Sequence, residues 1–357
     1  MQLTVLAAAF LATLIGIYCL APLTHKLGLI DKPDERKQHD GVIPLVGGIV
    51  IYAVMVSTAL LVIPVSIELL YFLLAAGLVV FTGALDDRFN ISFKLRLVVQ
   101  TIAALIIIYG VGDRLTSFGD LLGFGVIELG YLSVPLTLLG FLSVINAFNM
   151  LDGLDGLAGG VSLVAFVGLF FATGSQVSDT TTLIICLFIG ALFAYQMFNL
   201  HFFPRHLPKV FLGDAGSTLL GFVICAFVIR FSQEGRAIIQ PVFALWLVAI
   251  PLMDMLVTFF RRLRHRQSPF HPDLTHVHHI FMRAGFTRHA TLAVIMLASS
   301  LLAVIGFMLE KAAAPAWVSF ALIVLLTLLY AQMIGHAWKL AKWIKRQTIF
   351  HGLLENK

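Results

Sequence analysis

Long apolar stretches separated by short polar segments run through the whole chain. Eleven of these stretches approach the roughly 20 residues that a helix needs to cross a bilayer core. This pattern predicts an all-α, polytopic integral membrane protein with about eleven transmembrane helices, organised as a single domain over residues 1–357. The stretches lie at about 3–23, 44–63, 67–85, 97–112, 131–148, 157–174, 183–200, 210–230, 238–259, 290–309 and 317–336.

The composition excludes an ordinary soluble domain. Hydrophobic residues make up 59% of the chain and charged residues 12%, and the mean hydropathy is +0.96. The first apolar stretch has no Lys or Arg ahead of it and is too long for a signal peptide, so it is predicted to be a retained span. Cys19, Cys186 and Cys225 all fall within apolar stretches, which predicts buried thiols and no disulfide or zinc site.

Basic residues are concentrated on one side of the predicted membrane. Of 24 Lys and Arg, all but Arg114, Arg230, Arg236 and Lys311 fall on one face. The positive-inside rule makes that face cytoplasmic, with the N-terminus periplasmic and the C-terminus cytoplasmic. The net charge of +5 therefore indicates topology and not binding to nucleic acid. The segment 338–357 is predicted to be a basic interfacial tail that lies on the bilayer.

Three acidic motifs fall at the predicted cytoplasmic face. Asn149, Asp152 and Asp155 are three apart, so on a helix they would share one side. Neighbouring carboxylates repel unless a cation lies between them, and oxygen ligands suit Mg²⁺ or Mn²⁺. The alternative is a polar turn built on the Asp-Gly pairs. Asp86 with Asp87, at the end of the third stretch, forms a second acidic point that could share a metal or simply cap a loop.

The third motif is Gly213-Asp214-Ala-Gly216-Ser217, where open backbone next to Asp214 could approach phosphate. Phe211 just before it could stack on a base, or could be a membrane-boundary aromatic. Asp254, inside an apolar stretch, is a candidate functional group, although pairing with Arg261 or Arg262 would also explain it.

Basic side chains near these acids are candidates for phosphate contact, and for each the alternative is anchoring at lipid headgroups. The histidines could also bind zinc, but few acids and no cysteine accompany them, so phosphate is favoured. The candidates for lipid phosphate are Lys32, Arg36 and His39, and those for the other substrate are Lys94, Arg262, His276, His278 and His279.

Taken together and in order, these motifs resemble those of the polyprenyl-phosphate N-acetylhexosamine-1-phosphate transferases, and the resemblance covers nearly the whole chain. These membrane enzymes move a sugar phosphate from a UDP-sugar onto a lipid phosphate. The segment His276-Val-His278-His279, with Ser268-Pro-Phe-His-Pro-Asp ahead of it, is similar to the bacterial branch that starts O-antigen and enterobacterial common antigen. The peptidoglycan branch usually has Pro-x-His-His-His there.

The resemblance implies a role for each matching residue. Asp214 would ligate Mg²⁺ or Mn²⁺ with Asp152 and Asp87 close to the metal, and Asp86 would be the candidate base. Asp155 and Phe211 would contact uridine, while Asn149 and the histidines would contact substrate. The implied partners are UDP-N-acetylglucosamine, undecaprenyl phosphate and the bacterial inner membrane, with the active site on its cytoplasmic face. Family members often form homodimers, but no span carries a clear Gly-x-x-x-Gly face that would indicate one.

Two other classes fit less well. A CDP-alcohol phosphatidyltransferase also uses Asp-x-x-Asp-Gly, but its motif continues to an arginine and further aspartates, whereas Asp155-Gly is followed here by Leu-Ala-Gly-Gly. A transporter would carry carboxylates near the midplane of its spans and often an internal repeat, and neither pattern is found.

Overall fold

The computed structural model describes residues 1–32, 41–174, 179–202, 207–233, 237–264, 266 and 276–336. Within these residues the chain forms α-helices and one small antiparallel sheet. The helices are α1 (Gln2–Leu20), α2 (Thr24–Leu27), α3 (Gly47–Val62), α4 (Ile67–Phe89), α5 (Phe93–Ile106), α6 (Ser133–Leu151), α7 (Leu157–Thr173), α8 (Asp179–Asn199), α9 (Gly213–Ser232), α10 (Pro241–Leu247), α11 (Ala249–Arg264), α12 (Val277–Arg283), α13 (Arg288–Lys311) and α14 (Ala316–Gly335), and the strands are β1 (Ile30–Asp31) and β2 (Ile43–Pro44).

The prediction of an all-α polytopic membrane protein is confirmed. In the described part of the chain, 8 helical segments are long and apolar enough to cross a membrane. The helices α10 and α11 together form one further candidate span that is bent by 83°, and α3 and α7 are shorter apolar helices. Each of the eleven predicted stretches therefore coincides with a helix or with the bent pair. That all of them cross the membrane stays a prediction.

Helix α9 lies at the centre of the bundle. Of the 18 consecutive residues that form its most apolar stretch, 94% are buried inside the protein, compared with 17% for α14 at the periphery. Such a helix must be apolar on all sides, and α9 packs Phe222 and Phe227 against Phe72 of α4. Helix α9 begins at Gly213, and Asp214 is the acidic residue of its first turn. Asp214 therefore lies at one end of this buried helix.

Helices α4 and α9 touch backbone to backbone near that end. A Cβ atom added to Gly83 would lie 2.4 Å from the backbone of Ala215, which is closer than any real contact. The two helices can approach so closely only because residue 83 has no side chain. The next turn of α4 carries Asp86 and Asp87, so this contact brings three carboxylates together.

A short backbone connection ties the first polar loop to the segment that precedes α9. Phe211 donates its N–H to Pro44 O (2.9 Å), and Gly47 donates to Phe211 O (3.0 Å). These bonds extend the β1–β2 ladder towards the start of α9. The loop that was predicted to bind lipid phosphate therefore ends beside Asp214.

The three cysteines are free thiols. Cys186 and Cys225 are buried, as predicted, but Cys19 is exposed. The prediction was wrong for Cys19 because α1 lies at the edge of the bundle and turns that side outward, so an apolar stretch did not mean a buried position.

Candidate active site

An arginine joins two of the predicted acids. The Arg96 guanidinium, which α5 supplies, forms an ion pair with Asp86 at the end of α4, and its Nη1 also lies 3.4 Å from Oδ2 of Asp214. Asp86 is buried, whereas the Asp214 side chain is 35% exposed. The guanidinium group of Arg96 thus lies between two carboxylates, which would otherwise repel each other.

Asp87 has a different environment from its neighbour. Its Oδ1 accepts a hydrogen bond from Asp214 N (2.8 Å), and its Oδ2 accepts one from Ala215 N (3.3 Å). These amides are among the first of α9, which have no partner within their own helix. Asp87 therefore caps α9 from a neighbouring helix and fixes the backbone of Asp214. Its predicted part in metal binding stays a prediction.

Asn149, in the last turn of α6, completes this group. Its Nδ2 donates to Asp214 Oδ1 (2.7 Å) and to Ser217 Oγ (3.0 Å). The side chain of Asp214 is consequently held from two sides, by Asn149 and by Arg96. The structure brings together the predicted Asp86, Asp87, Asn149 and Asp214, and it adds Arg96.

The expected helical stripe of Asn149, Asp152 and Asp155 does not form. Helix α6 ends at Leu151, and Asp152 and Asp155 lie in the turn that connects it to α7. The reason is local: Gly156 has a φ of +80°, which favours glycine, and its N–H and C=O bond to Asn199 and Gln196. The two acids follow α6 as a turn instead of extending it, which was the alternative left open by the sequence.

Asp152 lies at the surface of the site, outside the spans. The protein packed around it raises the pKa of this carboxyl to about 8, and the negative charges of Asp214 and Asp155 add to the shift. Asp152 is thus electrostatically part of the same acidic group, although no direct bond joins it to Asp214.

Asp155 lies with a lysine and the predicted aromatic residue. Lys209 Nζ is 2.6 Å from Asp155 Oδ2 and 5.3 Å from the centre of the Phe211 ring. A carboxylate, an ammonium group and an aromatic face are therefore grouped, and this set could bind a nucleoside through hydrogen bonds and stacking. Asp155 and Phe211 were predicted to contact uridine, whereas Lys209 was not predicted to take part.

The histidine segment packs against the same turn. A Cβ atom added to Gly153 would lie 2.3 Å from His278 Nε2, so the His278 ring lies directly on the backbone between Asp152 and Asp155. Burial lowers the pKa of His278 to about 3, with the neighbouring His279 and His276 adding to the effect, so the ring is neutral at physiological pH. The ring of His276 stacks parallel to His278 at 6.1 Å.

The other predicted basic residues are placed less closely. Lys94 and Lys32 are exposed, Arg262 is buried in α11, and Arg36 and His39 lie outside the described residues. The tail 338–357 also lies outside them. A short turn joins α4 to α5 and indicates from the sequence that the basic residues at the start of α5 lie near Asp86 and Asp87, but it does not distinguish Arg96 from Lys94.

The residues present fit a divalent cation. Asp86 and Asp214 converge on a positive group, and Oδ1 of Asp86 is buried without a hydrogen-bond donor. The carboxylates of Asp86 and Asp214 offer oxygen ligands, which Mg²⁺ and Mn²⁺ prefer. Among the described residues, however, no three His, Cys, Asp or Glu side chains already stand close enough to hold an ion. Binding would require Arg96 to move aside or a substrate to supply further oxygen atoms.

The protein is thus a bundle of membrane helices with an acidic site at one end of its central helix. Comparison with known proteins shows the class to which it belongs. The sequence profile of glycosyl transferase family 4 matches residues 69–232. This range contains the acidic residues from Asp86 to Asp214, but it ends before the histidine segment.

Several relatives match almost the whole chain. The undecaprenyl-phosphate alpha-N-acetylglucosaminyl 1-phosphate transferase of Escherichia coli strain K12 is 43% identical over 348 residues, which cover 96% of this chain and 94% of the relative. The protein of the same name from Salmonella typhi is 42% identical with the same coverage, and that from Pasteurella multocida is 38% identical over 99% of both chains. The chain belongs to glycosyl transferase family 4, as the resemblance in its motifs implied.

Proposed function

We propose that this chain transfers N-acetylglucosamine 1-phosphate from UDP-N-acetylglucosamine to undecaprenyl phosphate and releases UMP. The observation that carries the proposal is the network of Asp86, Arg96, Asn149 and Asp214 at one end of a bundle of membrane helices. Relatives with the corresponding name match the chain from end to end. The two substrates are both anions, and one of them is confined to the bilayer.

The reaction forms one P–O bond and breaks another. An oxygen of the lipid phosphate attacks the phosphorus that carries the sugar, and the bond from that phosphorus to the UMP oxygen breaks, so the anomeric bond of the sugar is untouched. Lipid phosphate is already largely ionised at neutral pH, because its second pKa is about 6. Deprotonation by Asp86 would therefore assist the reaction without being required.

The chain's own residues have three tasks in this reaction. Arg96 and the histidine segment hold phosphate oxygens, and Asn149 and Asp87 fix the position of Asp214. Asp214 and Asp152, with Asp87 close by, would hold Mg²⁺ or Mn²⁺, which supplies positive charge to the diphosphate and to the departing UMP. Preorganised charge of this kind is the main source of catalysis in phosphoryl transfer.

The nucleotide would bind beside Asp155, Lys209 and Phe211. A cavity of about 1090 Å³ opens next to Lys209, and it is also lined by Tyr18, His25, His201 and Arg288. Such a volume is at the upper end of the range for small-molecule sites. The basic and aromatic lining suits a nucleoside diphosphate.

The finer topology belongs to the same proposal. All eleven apolar segments would cross the bacterial inner membrane, with the N-terminus periplasmic and the active site cytoplasmic, where UDP-sugars are found. The product would be the first lipid-linked intermediate of O-antigen and enterobacterial common antigen. The charge distribution along the sequence supports this orientation.

The test measures UMP released by the purified protein from undecaprenyl phosphate and Mg²⁺. Parallel reactions contain UDP-N-acetylglucosamine or UDP-N-acetylmuramoyl-pentapeptide, each with and without a chelator. We expect UMP from the first donor only, and none with the chelator. Release from the pentapeptide donor would move the chain to the peptidoglycan branch, while no release from either donor by folded protein would contradict the proposal.

The pH dependence tests the place of Asp152 in the site. Because the pKa of Asp152 is raised to about 8, the group is largely protonated at pH 6 and must lose its proton to accept a cation. We therefore expect the apparent affinity for Mg²⁺ to fall as the pH is lowered from 8.5 to 6, by up to about tenfold per unit. The Mg²⁺ dependence of UMP release at each pH measures this. Asp152→Asn should weaken Mg²⁺ binding and flatten the profile, and an unchanged slope in that variant would exclude Asp152.

A further inference from the structure

A buried carboxylate outside the acidic site holds the start of the histidine segment. Asp254 of α11 is 3% exposed, and its Oδ2 lies 2.7 Å from His276 Nδ1. Its Oδ1 accepts hydrogen bonds from Val277 N (3.0 Å) and from the Tyr330 hydroxyl (2.6 Å). Three groups from two other helices and the segment before α12 thus converge on one side chain. A buried carboxylate with this many donors has a specific structural task.

These bonds fix both the backbone and the ring at this position. The contact with Val277 N supplies a partner to the first amide of α12, which has none within its own helix. The contact with Nδ1 orients the imidazole of His276 and selects its protonated nitrogen, so the ring can meet a substrate only through Nε2. The neighbouring His278 ring, stacked on His276, rests on Gly153 in the acidic turn.

We infer that Asp254 is a positioning residue for the sugar-nucleotide donor: it fixes the ring of His276 so that Nε2 is the nitrogen left to contact the donor. The inference rests on the proposed function, in which the histidine segment contacts the donor. The carboxylate holds both Nδ1 of the ring and the backbone N–H of Val277, so it sets the orientation and the place of the imidazole together. Asp254 acts through His276 and does not itself touch the substrate.

Several groups surround this pair. His276 faces Asp254 on α11 and stacks on His278 of α12, which adjoins His279, while Tyr330 of α14 donates its hydroxyl to the carboxylate. The positive charge of Arg261 is also near enough to act on Tyr330. The carboxylate of Asp254 is in direct contact with His276 and is therefore the group whose removal should change the ring most.

The test compares Asp254→Asn, His276→Gln and the double variant in the full-length protein. We expect each single variant to lower kcat/KM for UDP-N-acetylglucosamine by about 10- to 100-fold, with KM for undecaprenyl phosphate unchanged. The double variant should be no worse than His276→Gln.

Two further variants separate positioning from simple stabilisation. Tyr330→Phe removes one hydrogen bond to the same carboxylate but leaves its contact with His276, so kcat/KM for UDP-N-acetylglucosamine should stay close to that of the original protein. Asp254→Glu keeps a carboxylate and should recover part of the kcat/KM that Asp254→Asn loses, and it serves if Asp254→Asn does not fold.

Additive losses in the double variant, or a kcat/KM in Asp254→Glu no higher than in Asp254→Asn, would overturn the inference. Full activity of His276→Gln would also overturn it, while the transferase reaction would still stand. If the unmodified protein releases no UMP, the proposed function itself fails.

Discussion

Asp214→Asn is expected to reduce UMP release by about a thousandfold. The side chain accepts a hydrogen bond from Asn149 (2.7 Å) and lies near the guanidinium of Arg96 (3.4 Å), so its charge is at the centre of the site. An asparagine has nearly the same shape but no charge, and so it removes a cation ligand without disturbing the packing of α9. Charge stabilisation by a bound metal contributes several kcal/mol to such reactions, and each 1.36 kcal/mol corresponds to a factor of ten.

The matched control for this variant is Asp120→Asn. Asp120 lies in the segment between α5 and α6, where its Oδ1 accepts a hydrogen bond from Gly125 N (3.0 Å). Its replacement by asparagine is the same chemical change, made away from the site. We expect Asp120→Asn to retain full activity in the same UMP assay. Binding of Mn²⁺, followed by electron paramagnetic resonance, gives a second measurement that does not depend on turnover. Asp214→Asn with more than a tenth of normal activity would show that Asp214 is not a metal ligand.

The fold could be predicted from the sequence because membrane helices are specified locally. Each span must satisfy its own backbone hydrogen bonds and present apolar side chains to lipid, so its length and composition are sufficient to recognise it. The break between α10 and α11 was not predicted, although Pro251 is a local signal for it: proline has no N–H and its ring clashes with the carbonyl four residues earlier, which belongs to Leu247, the last residue of α10. The bend of 83° itself also depends on what packs around the break.

The candidate site was predictable in part for the same reason. Acids at the ends of spans are conspicuous, and Asp86, Asn149 and Asp214 do come together around the start of α9. The role of Asp87 as a cap for α9 was not predictable, because it depends on two helices that are separated by more than a hundred residues. Asp254 was predicted to be a functional group or to pair with Arg261 or Arg262, and its contact with His276 was not predictable, because it too depends on how separate segments pack.

Arginine and lysine assignments were the least reliable part of the sequence analysis. Lys94 was selected, although Arg96 two residues later reaches the acids, because the direction of a side chain on α5 depends on how that helix packs. An ion pair at the other end of the bundle was also missed. Arg230 of α9 bonds Asp113 (2.9 Å) and Glu68 (3.3 Å), and it lies on the face that was described only as poor in basic residues.

Gly48→Ala is expected to damage both the fold and the site. Gly48 lies in the first turn of α3, and a Cβ atom there would stand 2.2 Å from the Cα and N atoms of Gly216 in α9. Backbone atoms cannot turn away as a flexible side chain can, so α3 and α9 must separate. Overpacking of this kind costs about 1–3 kcal/mol or more, which corresponds to a loss of several degrees in Tm for a protein of this size.

The same substitution should also reach Asp214. Gly48 N donates a hydrogen bond to Leu212 O (3.0 Å), two residues before Asp214, so a displaced α3 pulls on the start of α9. A misplacement of about 1 Å in a site that works by orientation reduces the rate by about 100-fold. We therefore expect a lower Tm together with a loss of UMP release, in protein that is still monodisperse in detergent.

Gly140→Ala is the matched control for Gly48→Ala. Gly140 also lies in a membrane helix, α6, but the nearest atom to an added Cβ there is Leu115 Cδ1 at 4.0 Å, an ordinary contact. Alanine has the higher helix propensity, so this variant should be as stable as the original protein and fully active. If Gly48→Ala behaved in the same way as Gly140→Ala, then α3 and α9 could not be in backbone contact, and the position of Asp214 would have to depend on α4 and α6 alone.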